Sequence, residues 1–138
     1  MTSLLVTLAW PARPLSPNAR AHWAVKARAA RAARRDAECA TRVALEHEPH
    51  ATSPTSLTSP MPLTLHFTLW PPSRRRFDQD NVLAALKSAL DGIADALGMD
   101  DSEFKIGRVI RDEPCKAGRV EILVTSLSTT QEFSHAPD

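Results

Sequence analysis

Glycine and cysteine are both scarce. With four glycines in 138 residues, the chain has no glycine-rich loop to cradle a nucleotide's phosphates. That argues against nucleotide hydrolysis by a P-loop mechanism, and no nucleotide cofactor is expected. Cys39 and Cys115 lack metal-type spacing, and two cysteines make no disulfide framework. No apolar run approaches the ~20 residues that span a bilayer, so no membrane partner is expected. The first residues, MTSLLVTLAWPARP, lack a basic n-region, so no signal peptide is expected and a reducing cytoplasm fits best. The five histidines (His22, His47, His50, His66, His135) include no pair at ligand spacing. Ser16, Ser73 and Ser102 have no glycine-framed elbow to make a nucleophile.

What is present is charge, and it is segregated. The net charge of +1 conceals eight Lys/Arg against two acids in residues 1–45, and seven acids against Lys87 alone in residues 78–103. Segregation of this kind suits a polyanion bound by one region and a cation held by another. Two solvated helix faces of opposite sign that attract each other would look the same, and both readings stand on charge alone.

The periodicities predict a βαβαββ order, hence a small mixed α/β (α+β) sheet with helices mainly on one face. The expected domain covers residues 1–125, with a flexible connector at 46–60 and a frayed tail at 126–138. At this length the core is modest and gains from a partner subunit. Leu4, Val6 and Leu8 alternate in a first strand that ends at Trp10-Pro11. A proline-rich loop follows, then a helix from Ala19 to about Leu45. Its period places Trp23, Ala27, Ala30, Ala37 and Ala44 on a buried stripe, with Arg28, Arg31, Arg35 and Arg42 opposite as a ridge. Such a ridge can grip phosphates through two-pronged hydrogen bonds, or simply be a soluble face.

Leu63, Leu65, Phe67 and Leu69 alternate in the cleanest strand, followed by Arg74, Arg75 and Arg76. Asp78, Asp80 and Asn81 then open an amphipathic helix whose apolar face is Val82, Leu86, Leu90, Ile93 and Leu97. Gly98 is placed to end it, and Asp100-Asp101 follow. Residues 104–112 and 119–125 are expected to close the chain as a hairpin.

The acidic clusters admit two readings. Carboxylates that cannot neutralise one another, beside a run of arginines, suit a hard divalent cation such as Mg²⁺ held next to a phosphate. Asp100-Asp101 lies one helix away, and a neighbouring strand could return it to the spot where Asp78 and Asp80 converge. Alternatively, Asp78 or Asp80 caps the helix and Asp100 closes the turn after Gly98. Lys87 is open in the same way: it can reach a phosphate at the site's rim or pair with Asp91.

At these residues the chain resembles the RusA family of Holliday junction resolvases, crossover junction endodeoxyribonucleases of bacteria and their phages. The resemblance is carried by the loop WPARPLSPN, the basic helix, the strand ending in arginines, Asp78-Gln79-Asp80-Asn81, Asp100-Asp101 and the turn KAGRVEI. It covers about residues 3–125 without the connector. The resemblance implies a homodimer that binds a four-way DNA junction in recombination and repair. It implies paired nicks in opposed strands, dependent on Mg²⁺ or Mn²⁺ and leaving a 5′-phosphate and a 3′-hydroxyl. By position, Asp78, Asp80 and Asp101 correspond to the family's metal ligands, with Asn81 and Asp100 in support. The arginines Arg28, Arg31, Arg35, Arg42 and Arg74 to Arg76 would contact DNA. The best-known members carry a catalytic lysine four residues after the second aspartate, where this chain has Ala84. Lys87, one turn later, is the candidate replacement, and the segment from Asn81 to Asp100 is about two residues longer than in those members. The alternative is a prophage-derived module that binds branched DNA without turning it over.

Overall fold

The computed structural model describes residues 3–47 and 63–126. The 46–60 connector lies almost wholly outside the described residues, as does all but the first residue of the 126–138 tail. Four strands form one mixed sheet: β1 (Ser3–Leu8), β2 (Leu63–Trp70), β3 (Phe104–Arg111) and β4 (Arg119–Ser126), in spatial order β1-β4-β2-β3. β4 is antiparallel to both neighbours, while β2 and β3 are parallel. Alternation explains the burial. Leu4 and Val6, then Leu63, Leu65, Phe67 and Leu69, then Val120, Ile122 and Val124 all turn to one face and are buried. The fold is therefore mixed α and β, as the periodicities predict.

The expected hairpin is not formed. β4 inserts between β1 and β2, and β3 takes the outer edge beyond β2. Burial explains the choice. The inward residues of β4 are fully covered and need a neighbour on each side, whereas Ile106 and Ile110 of β3 remain exposed. A helical crossover also delivers β3 parallel to β2, which a two-strand hairpin cannot do. The Asp112 amide donates to the Leu69 carbonyl (2.8 Å) and the Cys115 amide to the Pro71 carbonyl (2.9 Å), tying the connection to the segment that ends β2.

Among the described residues, three α-helices pack against the buried face. α1 spans Trp23–His47. The helix expected after Asp80 is divided into α2 (Gln79–Ala85) and α3 (Lys87–Leu97). Leu86 forms the joint with φ −89° and ψ 1°, its amide shared between the carbonyls of Val82 and Leu83 at 3.1 Å each. Val82, Leu86, Ala89, Ile93 and Leu97 face the core, with Leu90 partly covered. Gly98 ends α3 in the left-handed conformation (φ 72°), as its position predicts.

α1 and α3 meet at Gly92. A methyl group there would lie 2.1 Å from the Arg34 carbonyl oxygen, so only glycine allows the two backbones this close. The buried residues of α1 are consequently Ala37, Thr41 and Leu45. Trp23, placed on the buried stripe by its period, is 74% exposed. It is the first residue of α1, ahead of the segment that meets α3 at Arg34 and Ala37.

Candidate functional site

The strand register defines two ends. Leu8 lies opposite Val120, Trp70 opposite Arg119 and Leu69 beside Arg111, which together mark the upper end. Leu63 pairs with Phe104 and Ser126, which mark the lower end.

Aromatic packing fixes the upper end. Phe77 meets Trp10 edge-to-face (centroids 5.5 Å apart, 78°), and the Arg111 guanidinium lies over its ring at 4.6 Å. Contacts of this type are attractive through the ring quadrupole. Phe77 therefore anchors the chain one residue before Asp78. Asp78 is the N-cap of α2: its Oδ1 accepts from the amides of Asp80 (2.9 Å) and Asn81 (3.4 Å). The capping role read from the sequence is thus real, and it uses one oxygen. The other Asp78 oxygen and both oxygens of Asp80 have no cationic partner among the described residues. Arg74, Arg75 and Arg76 are exposed in the loop just before them. A cleft of about 400 Å³ opens here, lined by Trp10, Arg13, Ser16, Phe77, Asp78 and Asn81.

The lower end holds the second acidic cluster. Asp100 accepts from the Ser102 amide (3.0 Å), closing the turn after Gly98 as expected of a cap. Lys87 reaches down α3, not up toward Asp80. Its Nζ lies 2.5 Å from Asp101 Oδ2 and 3.0 Å from Asp91 Oδ1. Hydrogen bonding to Asp101, then to Asp91, holds the Lys87 ammonium above its ordinary pKa. The same contact with Lys87 holds the Asp101 carboxyl below its ordinary range. Arg34 grips Asp95 with two bonds, Nε to Oδ2 at 2.6 Å and Nη2 to Oδ1 at 2.9 Å. That pair raises the arginine and lowers the carboxyl.

Asp78 and Asp80 do not gather with Asp101: the parallel crossover leaves the sheet at the upper end of β2 and re-enters at its lower end, and Asp101 meets Lys87 of α3 instead. Among the described residues, no three His, Cys, Asp or Glu side chains gather to hold a metal ion. The donor chemistry of Asp78, Asp80, Asn81 and Asp101 still suits Mg²⁺ or Mn²⁺, which take oxygen ligands. One protomer supplies such donors at two separate ends.

The arginine ridge is narrower than the period predicts. Arg42 pairs with Glu38 one turn earlier (2.7 Å). Arg28, Arg31 and Arg35 are exposed and have no acidic partner among the described residues. Sequence reasoning missed the Arg34–Asp95 clamp and the Trp10–Phe77–Arg111 stack. Both join residues far apart in the chain, so local spacing carried no signal for them.

No known protein-family profile matches the chain. The chain is similar to an uncharacterized protein of Xylella fastidiosa (strain Temecula1), 42% identical over 130 residues. The likeness covers 94% of this chain and 80% of that protein. The chain belongs to that protein's family. The match spans nearly the whole chain, so the upper and lower ends described here fall largely within it. No helix among the described residues is long and apolar enough to cross a membrane.

Proposed function

We propose that the protein is a metal-dependent, structure-selective endodeoxyribonuclease that resolves four-way DNA junctions, as the RusA resemblance implies. One observation carries this reading: among the described residues, Asp78 and Asp80 stand without cationic partners beside three exposed arginines. Two carboxylates left uncompensated repel each other and any approaching phosphate. The arrangement becomes favourable only with a divalent cation between acid and phosphate.

Asp78, Asp80 and Asp101 would hold Mg²⁺ or Mn²⁺, with Asn81 and Asp100 in support. Held there, such an ion would supply a water of lowered pKa and polarise the scissile phosphate. The protein's own groups do the rest. Arg74 to Arg76 hold the phosphate and offset the charge that develops during cleavage. The Asp78 cap fixes the start of α2, so Asp80 is presented on a helix terminus and not on a loose loop. Arg28, Arg31 and Arg35 grip duplex arms through their phosphates, which makes affinity fall steeply with salt.

The separation of Asp101 from Asp78 and Asp80 bears on the partner. In a two-fold homodimer, each site would draw Asp78 and Asp80 from one protomer and Asp101 from the other. Such a dimer matches the two-fold symmetry of an opened junction and gives one site per opposed strand.

A second reading is a branched-DNA-binding module without turnover. It is favoured by Lys87, whose ammonium is engaged by Asp91 and Asp101 away from Asp80, while Ala84 has no charge to offer. Incubating a four-way junction, a flap and a linear duplex with the protein and Mg²⁺ tests both. Paired, symmetrical nicks confined to the junction support the resolvase. Binding without cleavage at every metal concentration supports the module. Cleavage of the flap alone overturns both in favour of a different nuclease.

A further inference from the structure

Trp23 is the most exposed large apolar side chain among those identified as exposed, at 74%. An exposed indole is a large flat apolar face whose burial is strongly favourable. His22 lies against it, ring centroids 5.6 Å apart and tilted by 32°, which widens the aromatic face. The imidazole is itself held in place. His22 Nδ1 accepts from the Ala24 amide (3.1 Å), and its carbonyl accepts from the amides of Val25 and Lys26. An accepting Nδ1 puts the neutral ring's proton on Nε2, leaving a donor on the solvent side.

Charge identifies the occupant. No Asp or Glu occurs before Asp36, while Arg20 and Lys26 flank the pair and Arg28 and Arg31 follow on the same helix. An aromatic face in a stretch of one sign fits a ligand that is flat, apolar on its faces and anionic at its edge. A nucleobase on its phosphate backbone has those properties.

Position relates this face to the acidic end. α1 and α3 touch at Arg34 and Gly92, and both run from the upper end toward the lower. Between α1 and the joint at Leu86 lies an apolar groove of about 220 Å³ lined by Trp10, Ala29, Ala33, Ala85 and Leu86.

We propose that Trp23, with His22, is a stacking platform for an unpaired DNA base. It would take a base splayed from the branch point while the adjacent arginines hold its strand. Base stacking is sequence-tolerant, because every base has a π face. The proposal rests on the nucleic-acid part of the functional reading above and is independent of catalysis.

The test measures binding of a four-way junction, an oligo(dT) single strand and a linear duplex by wild type, W23A and W23F. W23A should weaken junction and single-strand binding by roughly 5- to 140-fold. Duplex affinity and the salt dependence should stay unchanged, and W23F should recover most of the loss. Unchanged junction affinity in W23A overturns the platform and leaves the nuclease reading intact. An equal loss on duplex also overturns it, because Trp23 would then act through the fold. Selective loss in a protein that never cleaves supports the platform and sinks the nuclease reading. A wild type that binds no DNA overturns both.

Discussion

At the lower end of the sheet, Asp91 and Asp101 share the Lys87 ammonium and Asp95 is clamped by Arg34. At the upper end, Asp78 and Asp80 have no such partner among the described residues, although three arginines stand in the adjoining loop. The two clusters look alike in the sequence and differ in how their charge is handled. Exposed ion pairs contribute little to stability, so the lower network is best understood as holding α1, α3 and the turn after Gly98 in register. At the upper end Asp78 caps α2 and Asp80 stands in its first turn, where a carboxylate suits the helix dipole.

The largest expected effect comes from removing charge at the upper end. D80N should reduce junction cleavage roughly a thousandfold or more, the several kcal/mol that a bound metal ion supplies. Binding in a gel shift should be equal or tighter, because a negative charge near the phosphate has gone. Loss of binding together with cleavage would mean that Asp80 serves only the helix end. The pairing of the two ends across a dimer can be checked by mixing D80N with D101N. A mixed dimer has one site with both aspartates intact, so single nicks should reappear without paired cleavage. An inactive mixture would place all ligands of a site in one chain.

K87A sharpens the comparison from below. If Lys87 acts on the phosphate in place of the lysine absent at Ala84, cleavage should fall roughly a hundredfold, with thermal stability almost unmoved. Full activity would confine Lys87 to its two carboxylates. G92A tests the frame that holds the ends apart: its methyl meets backbone, so we expect a loss of about 1–3 kcal/mol in chemical denaturation. Wild-type stability after that change would mean that α1 and α3 can separate freely.

The smallest effect is the pH dependence of the lower pair. Asp101 has a lowered pKa, so its contribution is complete above the ordinary carboxylate value and fades as pH falls through the lowered one. Lys87 has a raised pKa, so its contribution is complete below the ordinary lysine value and fades as pH rises through the raised one. The stability difference between wild type and K87A should be constant from about pH 5 to about pH 9 and shrink below about pH 4. A difference that changed across neutrality would point to another titrating partner.

Features set within a few residues could be read from the sequence. The alternation of Leu63 to Leu69, the apolar face of residues 82–97, the Gly98 terminus and the Asp78 cap all follow from period or capping chemistry. Features set by distant partners could not. Nothing in Val120, Ile122 and Val124 says that β1 and β2 will flank them, so a hairpin with residues 104–112 was the natural expectation. Trp23 fits the apolar stripe by angle, yet it starts α1, ahead of the segment that packs on α3. Asp101 pairs with Lys87 because the crossover carries it beside Asp91, a contact that local spacing does not show.

The place of β4 has a consequence for how the chain acquires its shape. Among the described residues β1 pairs only with β4, and β2 also needs β4 along its inner edge. A ribosome delivers these strands in the order β1, β2, β3, β4, so the first strand waits for residues 119–126 before it has any partner. Until then two edges stand open, and only β2 and β3 can pair. Long-range closure of this kind slows folding and lengthens the exposure of unpaired strands. The protein should therefore fold after synthesis and not during it, and a nascent chain stalled before Arg119 should depend on chaperones to stay in solution.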